Sequence, residues 1–151
     1  MPRKKKTEQD QTELESQKKR VRHSYLYAVG RRKKSIARVR LVKKGEGKII
    51  VNKKEYDQYF PTLELKQLIT QPLEAIGKLK EFDISIKVAG GGKHGQAEAC
   101  RHGIARALVL FDKDLRKVIK PYGFLRRDPR RRERKKPGLK RARRGPQWAK
   151  R

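Results

Sequence analysis

The chain has 151 residues, of which 44 are Lys or Arg and 16 are Asp or Glu, so its formal net charge is +28. Charged residues make up 40% of the chain and hydrophobic residues 34%, whereas globular proteins average about 25% and 45–50%. The hydrophobic core is therefore predicted to be small. The charge favours a polyanionic partner, nucleic acid above all, over a small acidic substrate; an anionic membrane surface is a weaker alternative that we do not adopt.

Several other classes of protein conflict with this sequence. No apolar run approaches the ~18 residues that a membrane-spanning helix needs. The polar stretch after Met1 lacks a secretory signal, and its acidic residues argue against an organellar transit peptide. A single cysteine, Cys100, excludes an internal disulfide and a cysteine-based zinc site, and the three histidines lack ligand spacing. We therefore expect a cytoplasmic protein that binds no metal and needs no cofactor.

The composition divides the chain into three zones. Residues 1–24 are polar and mixed in charge, which predicts a flexible N-terminal extension. Residues 25–120 hold nearly all the core-forming side chains and are predicted to form the folded domain. Residues 121–151 carry fourteen basic and two acidic residues, which predicts an extended tail that binds a partner.

The first half of the domain is predicted to begin with three strands, at residues 25–29, 35–42 and 48–52. Because Gly45-Glu46-Gly47 is a turn signal, the second and third strands are expected to form a hairpin. A short helix is predicted over residues 53–60. Helical spacing then runs from Leu65 to Ile76, where Pro72 is expected to cause a kink or a division into two short helices.

The second half contains the clearest strand, at residues 82–88, in which apolar and polar side chains alternate. A long helix is predicted from about Gln96 to Phe111, with Cys100 on its apolar stripe and His102 at its surface. A shorter helix follows at residues 113–120. This order predicts one α+β domain, with a small mixed sheet covered by helices on one face.

A glycine-rich segment, Gly90-x-Gly92-x-x-Gly95, matches the dinucleotide-binding fingerprint in letters only. That fingerprint requires a second strand ending in an acidic residue, which this chain lacks, so we reject the cofactor interpretation. Two interpretations remain. The segment is a tight turn between strand and helix, or Gly91 and Gly92 expose backbone N–H groups to an RNA phosphate flanked by Lys93 and His94.

Two further segments are strongly basic. The loop from Gly30 to Ser35 continues into a strand whose arginines are expected to line one face of the sheet, and guanidinium groups suit bidentate phosphate contacts. The predicted contacts here are Arg31, Arg32, Lys33, Lys34, Arg38 and Arg40. Those of the tail are Arg126, Arg127, Arg130, Arg131, Arg134, Lys135, Lys136, Lys140, Arg141, Arg143 and Arg144. Trp148 is either an incidental aromatic or a residue that stacks on a base.

The residues alone thus indicate a structural protein associated with RNA. The chain lacks zinc-finger spacing, a basic region with heptads and a clear helix-turn-helix, and an arginine-rich tail suits the irregular grooves of folded RNA. No carboxylate pair or Ser-His-Asp set points to an enzyme. A protein that coats DNA without sequence choice stays open as an alternative. Saturable binding of a dinucleotide would revive the rejected cofactor interpretation, in which the chain is a nucleotide-dependent enzyme that uses the glycine segment.

Several motifs together resemble one family. Residues 30–39 (Gly-Arg-Arg-Lys-x-Ser-x-Ala-Arg-Val), 90–97 and 101–108 closely resemble the family of the ninth protein of the small ribosomal subunit. The tail motifs at residues 123–139 and 147–151 are similar to its bacterial branch. The resemblance spans about residues 25–151 in order.

The resemblance implies an α+β domain similar to the second domain of the fifth small-subunit protein. It also implies a position in the head of the subunit, on ribosomal RNA and beside other head proteins, with the tail threading through that RNA. Lys150 and Arg151 would then contact the anticodon stem-loop of peptidyl-site tRNA. The chain departs from the family at Trp148 and Ala149, where Phe and Ser are common.

Overall fold

The structure is a computed structural model that describes residues 25–148. The predicted extension at residues 1–24 and the last three residues, Ala149, Lys150 and Arg151, lie outside the described residues. The described part contains five strands and four helices. They are β1 (Tyr25–Arg32), β2 (Ser35–Lys43), β3 (Ile49–Val51), β4 (Lys54–Glu55), α1 (Tyr56–Tyr59), α2 (Leu63–Glu74), β5 (Phe82–Ala89), α3 (Lys93–Phe111) and α4 (Leu115–Ile119).

The strands form one mixed sheet in the order β1-β2-β5-β3-β4. β5 pairs antiparallel with β2 and parallel with β3, so it lies between two strands that precede it in sequence. The predicted hairpin of β2 and β3 is therefore wrong. The turn between them is bound instead to the start of β5, where the Asp83 carboxylate accepts N–H groups from Glu46 and Lys48 at 2.9 and 3.0 Å. With the turn held at the start of β5, β3 pairs with the edge of β5 that lies opposite β2.

Alternation along the strands decides which face of the sheet is covered. In β5, the side chains of Phe82, Ile84, Ile86 and Val88 are buried, and Ser85 and Lys87 between them are exposed. β2 shows the same pattern. α3 packs across β1, β2 and β5, and α2 packs on α3. The predicted α+β class, with helices on one face of a mixed sheet, is confirmed.

The helices differ from the prediction in their bounds. α3 begins at Lys93 because Gly92 already has the extended conformation of an N-cap residue. α2 continues through Pro72 as one helix rather than two. Only residues 56–59 of the predicted helix at 53–60 are helical. The reason is that Asn52 and Lys53 adopt positive φ angles of 48° and 68°, which turn the chain back so that β4 pairs with β3.

β1 and α3 approach each other so closely that their backbones touch. A Cβ atom on Gly30 would lie 1.9 Å from the Ala99 carbonyl oxygen and 2.4 Å from the Gly103 nitrogen. A Cβ atom on Gly103 would lie 2.6 Å from Cγ2 of Val39. Neither strand nor helix can accept a side chain at this crossing, so the two glycines set the distance between α3 and the sheet.

The substitution Gly30→Ala is expected to lower the free energy of unfolding by about 2–4 kcal/mol, because a methyl group would overlap backbone atoms that cannot rotate away. Urea unfolding of the full chain measures this. Gly92→Ala is the matched control, since a Cβ atom there meets nothing within 4 Å. Equal stability of the two variants would contradict the close crossing.

Candidate nucleic-acid interface

The basic loop between β1 and β2 and the glycine segment after β5 lie together at one end of the sheet. The two-residue turn Lys33–Lys34 joins β1 to β2 and packs against the glycine segment that follows β5. A Cβ atom on Gly90 would lie 2.5 Å from the Lys34 carbonyl oxygen, and one on Gly91 would lie 2.2 Å from Oγ of Ser35. That hydroxyl donates to the Gly90 carbonyl at 3.0 Å. We call Lys33, Lys34 and residues 90–94 the basic end of the sheet.

The glycine segment is a tight turn whose outer side is open. Gly90 and Gly91 have φ angles of +76° and +64°, a conformation that residues with a Cβ rarely adopt. Gly92 is extended, and no side chain caps the start of α3. Gly91, Gly92, Lys93 and His94 are all exposed. The unpaired N–H groups and positive dipole end of α3 therefore face an uncrowded surface, where an anion can approach.

Lys93 has a structural role as well as a charge. Its ammonium lies 3.4 Å from the centroid of the Tyr59 ring and donates to the Tyr59 carbonyl at 3.2 Å. The Tyr59 hydroxyl in turn donates to Gln96 at 3.0 Å. These contacts fasten the first turn of α3 to α1, so Lys93 is held close to the helix N-terminus.

Arg32 differs from the other predicted contacts because it is only 7% exposed. Its guanidinium pairs with Glu98 of α3 and, at 3.0 Å, with Asp128 at the base of the tail. It also donates to the Arg130 carbonyl at 2.7 Å. These partners within the chain occupy the guanidinium fork, so Arg32 joins the tail to the domain. Alternation along β1 could have predicted this burial, because Arg32 lies on the same face of the strand as the buried Ala28 and Gly30.

The two acidic residues of the tail also have partners within the tail. The pKa of Asp128 is held well below its usual range, first by hydrogen bonds from Arg130 and then by the charge of Arg32. Hydrogen bonds from Lys136 and Arg143, at 2.8 and 2.9 Å, lower the pKa of Glu133. Both carboxylates thus hold nearby basic side chains of the tail in place. The net charge of the tail, which is all that the sequence analysis used, does not predict this role.

His102 is half-buried rather than at the helix surface as expected. Its Nδ1 accepts the backbone N–H of Arg31 at 3.2 Å, which requires the neutral ring. Burial lowers the pKa of His102, and the charge of Arg106 lowers it further. Arg32, Glu98, His102 and Asp128 together connect β1, α3 and the tail, and we call this group the tail junction.

The arginines of β2 lie where the sequence placed them. Arg38 and Arg40 are exposed on the side of the sheet away from the helices, which we call the open face. By strand register, Lys87 lies beside Arg38 and Tyr27 lies beside Arg40. The Arg40 guanidinium lies 5.0 Å from the centroid of the Tyr25 ring. The open face thus combines basic and aromatic side chains.

The remaining tail candidates lie in residues 126–148, which contain no helix or strand. The Trp148 side chain is 92% exposed. Cys100 is buried in the core, as predicted, and burial raises the pKa of its thiol to about 12. Within residues 25–148, no three His, Cys, Asp or Glu side chains are grouped to hold a metal ion. None of the helices described is both long and apolar enough to cross a membrane.

The family comparison agrees with this arrangement. The sequence model of the family described as ribosomal protein S9/S16 matches residues 30–151, which include both sides of the basic end and the whole tail. The chain belongs to this family. It is therefore a ribosomal protein of the small subunit, a structural component of a ribonucleoprotein that works in translation. The S9/S16 family is structural and not known to be enzymatic.

Replacing Arg32 tests the tail junction. Arg32→Met is expected to lower the free energy of unfolding by about 2–3 kcal/mol, because Glu98 would keep a charge in a mostly buried site without its partner. It should also speed trypsin cleavage after Arg130 and Arg131. Arg31→Met, at the neighbouring exposed position, is the control. If both variants unfold at the same urea concentration and are cut at the same rate, the junction does not hold the tail.

His102 gives a test by pH. Since folding lowers its pKa, the unfolded chain binds more protons than the folded chain just below the unfolded pKa of about 6.5, and stability falls as the pH drops through that value. In His102→Asn, the amide oxygen keeps an acceptor for Arg31 but does not titrate. The variant is expected to lose less stability than the wild type between about pH 7.5 and about pH 5.5. Parallel losses in urea unfolding would contradict this account.

Proposed function

We propose that this chain binds ribosomal RNA in the head of the small subunit, and that its last residues, Lys150 and Arg151, contact the anticodon stem-loop of peptidyl-site tRNA. The main support for the proposal is that the basic loop and the glycine segment lie together at one end of the sheet. Beside them, Arg32 binds the tail to the domain. On this proposal the protein works in cytoplasmic ribosomes, among neighbouring head proteins.

Positive charge supplies most of the proposed affinity. Arginine forks bind phosphate oxygens in pairs, and lysines act as point charges. The proposed contacts are Arg31, Lys33, Lys34, Arg38, Arg40, Gly91, Gly92, Lys93, His94, Arg126, Arg127, Arg130, Arg131, Arg134, Lys135, Lys136, Lys140, Arg141, Arg143 and Arg144. Arg32 is left out because its guanidinium is buried as well as paired, whereas the paired cations of the tail stay exposed. Trp148, which is almost fully exposed, is proposed to stack on a base or sugar.

The glycine segment is proposed to seat one RNA phosphate. The start of α3 lacks a side-chain cap, and Gly92 leaves open space in front of it. A phosphate there would accept hydrogen bonds from backbone N–H groups, and the positive end of the helix dipole would stabilise its negative charge. Lys93, fixed against Tyr59, would stand beside the anion.

The binding mechanism is tested by the salt dependence of affinity. With about ten phosphates contacted, log K for a head-domain RNA fragment is expected to fall with log salt at a slope of roughly −7 to −9. Filter binding of the full chain at several salt concentrations measures this slope. A slope near −2 would contradict the phosphate mechanism. Comparable affinity for duplex DNA at matched salt would favour the DNA-coating alternative instead.

The tRNA contact is tested by truncation. Removing Lys150 and Arg151 is expected to leave subunit assembly intact and to weaken peptidyl-site tRNA binding by only a few fold, since two exposed phosphate contacts are lost. Reconstituted subunits and a tRNA filter-binding assay measure both effects. A head that fails to assemble, or an unchanged tRNA affinity, would contradict this division of roles.

A further inference from the structure

The open face of the sheet presents exposed aromatic rings as well as positive charge. Tyr25 and Tyr27 of β1 are 48% and 47% exposed. Strand alternation puts both side chains on the open face, with their Cα atoms about 6.5–7 Å apart along the strand. Because the helices pack on the opposite face, the fold of residues 25–148 gives these rings no core to join.

Basic side chains surround the two rings. Arg40 lies directly beside Tyr27 in the sheet register, and its guanidinium also lies over the Tyr25 ring. Arg38 occupies the next row with Lys87 beside it, and all three basic residues are exposed. Each ring therefore has a basic side chain beside it on the open face.

Acidic residues on this face lie away from that cluster. Asp83 shares a face with Tyr25 but lies two strands away, and its carboxylate already accepts the N–H groups of Glu46 and Lys48. Glu55 lies on β4 at the opposite edge of the sheet. The half of the face formed by β1 and β2 is thus positive and aromatic, which complements a polyanion that has flat rings.

We propose that the open face binds an unpaired RNA segment, with bases stacked on Tyr25 and Tyr27 and phosphates held by Arg38, Arg40 and Lys87. The proposal rests on the RNA-binding function above and adds the class of RNA and the residues that recognise it. Single strands suit this surface because only unstacked bases can lie flat on a side chain. The spacing of the two rings lets consecutive bases of a stretched strand use both.

Residues 1–24 are a poorer occupant of this face on charge grounds, because they carry eight basic and four acidic residues. A net positive segment would be repelled by Arg38, Arg40 and Lys87. A protein partner is the other alternative, and it would have to supply acidic side chains at the same spacing.

The test uses the full chain and a labelled 12-nucleotide single-stranded RNA, with a duplex of the same length as the second probe. Tyr25→Ala combined with Tyr27→Ala is expected to lower single-strand affinity by about 10-fold to 100-fold and to change duplex affinity little, because duplex bases are not available for stacking. The double Phe variant should bind as the wild type does. Tyr122→Ala is the control, since Tyr122 is 61% exposed and stacks on Phe124 outside the sheet.

A second measurement separates this face from the tail, which also binds single strands by charge. Photocrosslinking of the same RNA carrying 4-thiouridine is expected to map to Tyr25 or Tyr27. The slope of log K against log salt should be unchanged in the Tyr variants, because stacking releases no counterions, and it should become shallower by about one in Arg38→Gln.

Three outcomes would overturn the inference: no crosslink in β1, unchanged single-strand affinity in the double Ala variant, or an equal loss in the Phe variant. If RNA affinity is unchanged but the Ala variant fails to bind a head protein that the wild type binds, the face is a protein-docking surface and the inference is wrong. In all these cases a steep salt slope would still support RNA binding by the basic end and the tail, so the two proposals fail separately.

Discussion

The close crossing of β1 and α3 is the constraint on which the remaining arrangement depends. Gly30 and Gly103 bring the two backbones into contact. At that separation, the next residues of β1 reach α3 directly, so that Arg31 donates to His102 and Arg32 pairs with Glu98. A wider spacing would move the tail junction apart. Because Gly30 and Gly103 have no side chains, the tail leaves the domain beside α3.

The structure divides the positive charges of residues 25–148 into those paired inside the folded domain and those exposed at its surface. Arg32 is buried between carboxylates, and its loss is predicted to cost stability rather than RNA contacts. Arg38 and Arg40 are exposed on a face that carries little acid. Lys93 belongs to both groups, since it fastens α3 to Tyr59 while remaining exposed. Net charge alone predicts the type of partner but not this division.

Sequence reasoning succeeded where one local pattern decides the structure. Alternation in β2 and β5 was strong enough to predict the strands, the buried face and the positions of Arg38 and Arg40. Sequence reasoning failed where a contact between residues far apart in the chain decides which strands pair. The turn signal at residues 45–47 is real, but Asp83 binds that turn and places β5 where a hairpin partner was expected. The junction of Arg32 with Asp128 joins residues 96 positions apart, and no periodicity reports such a contact.

The position of β5 also has a kinetic consequence. This strand is made after β1, β2, β3 and α2, yet it must enter the sheet between β2 and β3. Until it does, each of those two strands has an unpaired edge, the kind of surface that joins other chains. Insertion depends on pairing between residues far apart in sequence, which is slow compared with forming a hairpin. The time that a newly made chain needs protection from aggregation is therefore set by this one strand rather than by the stability of the finished domain.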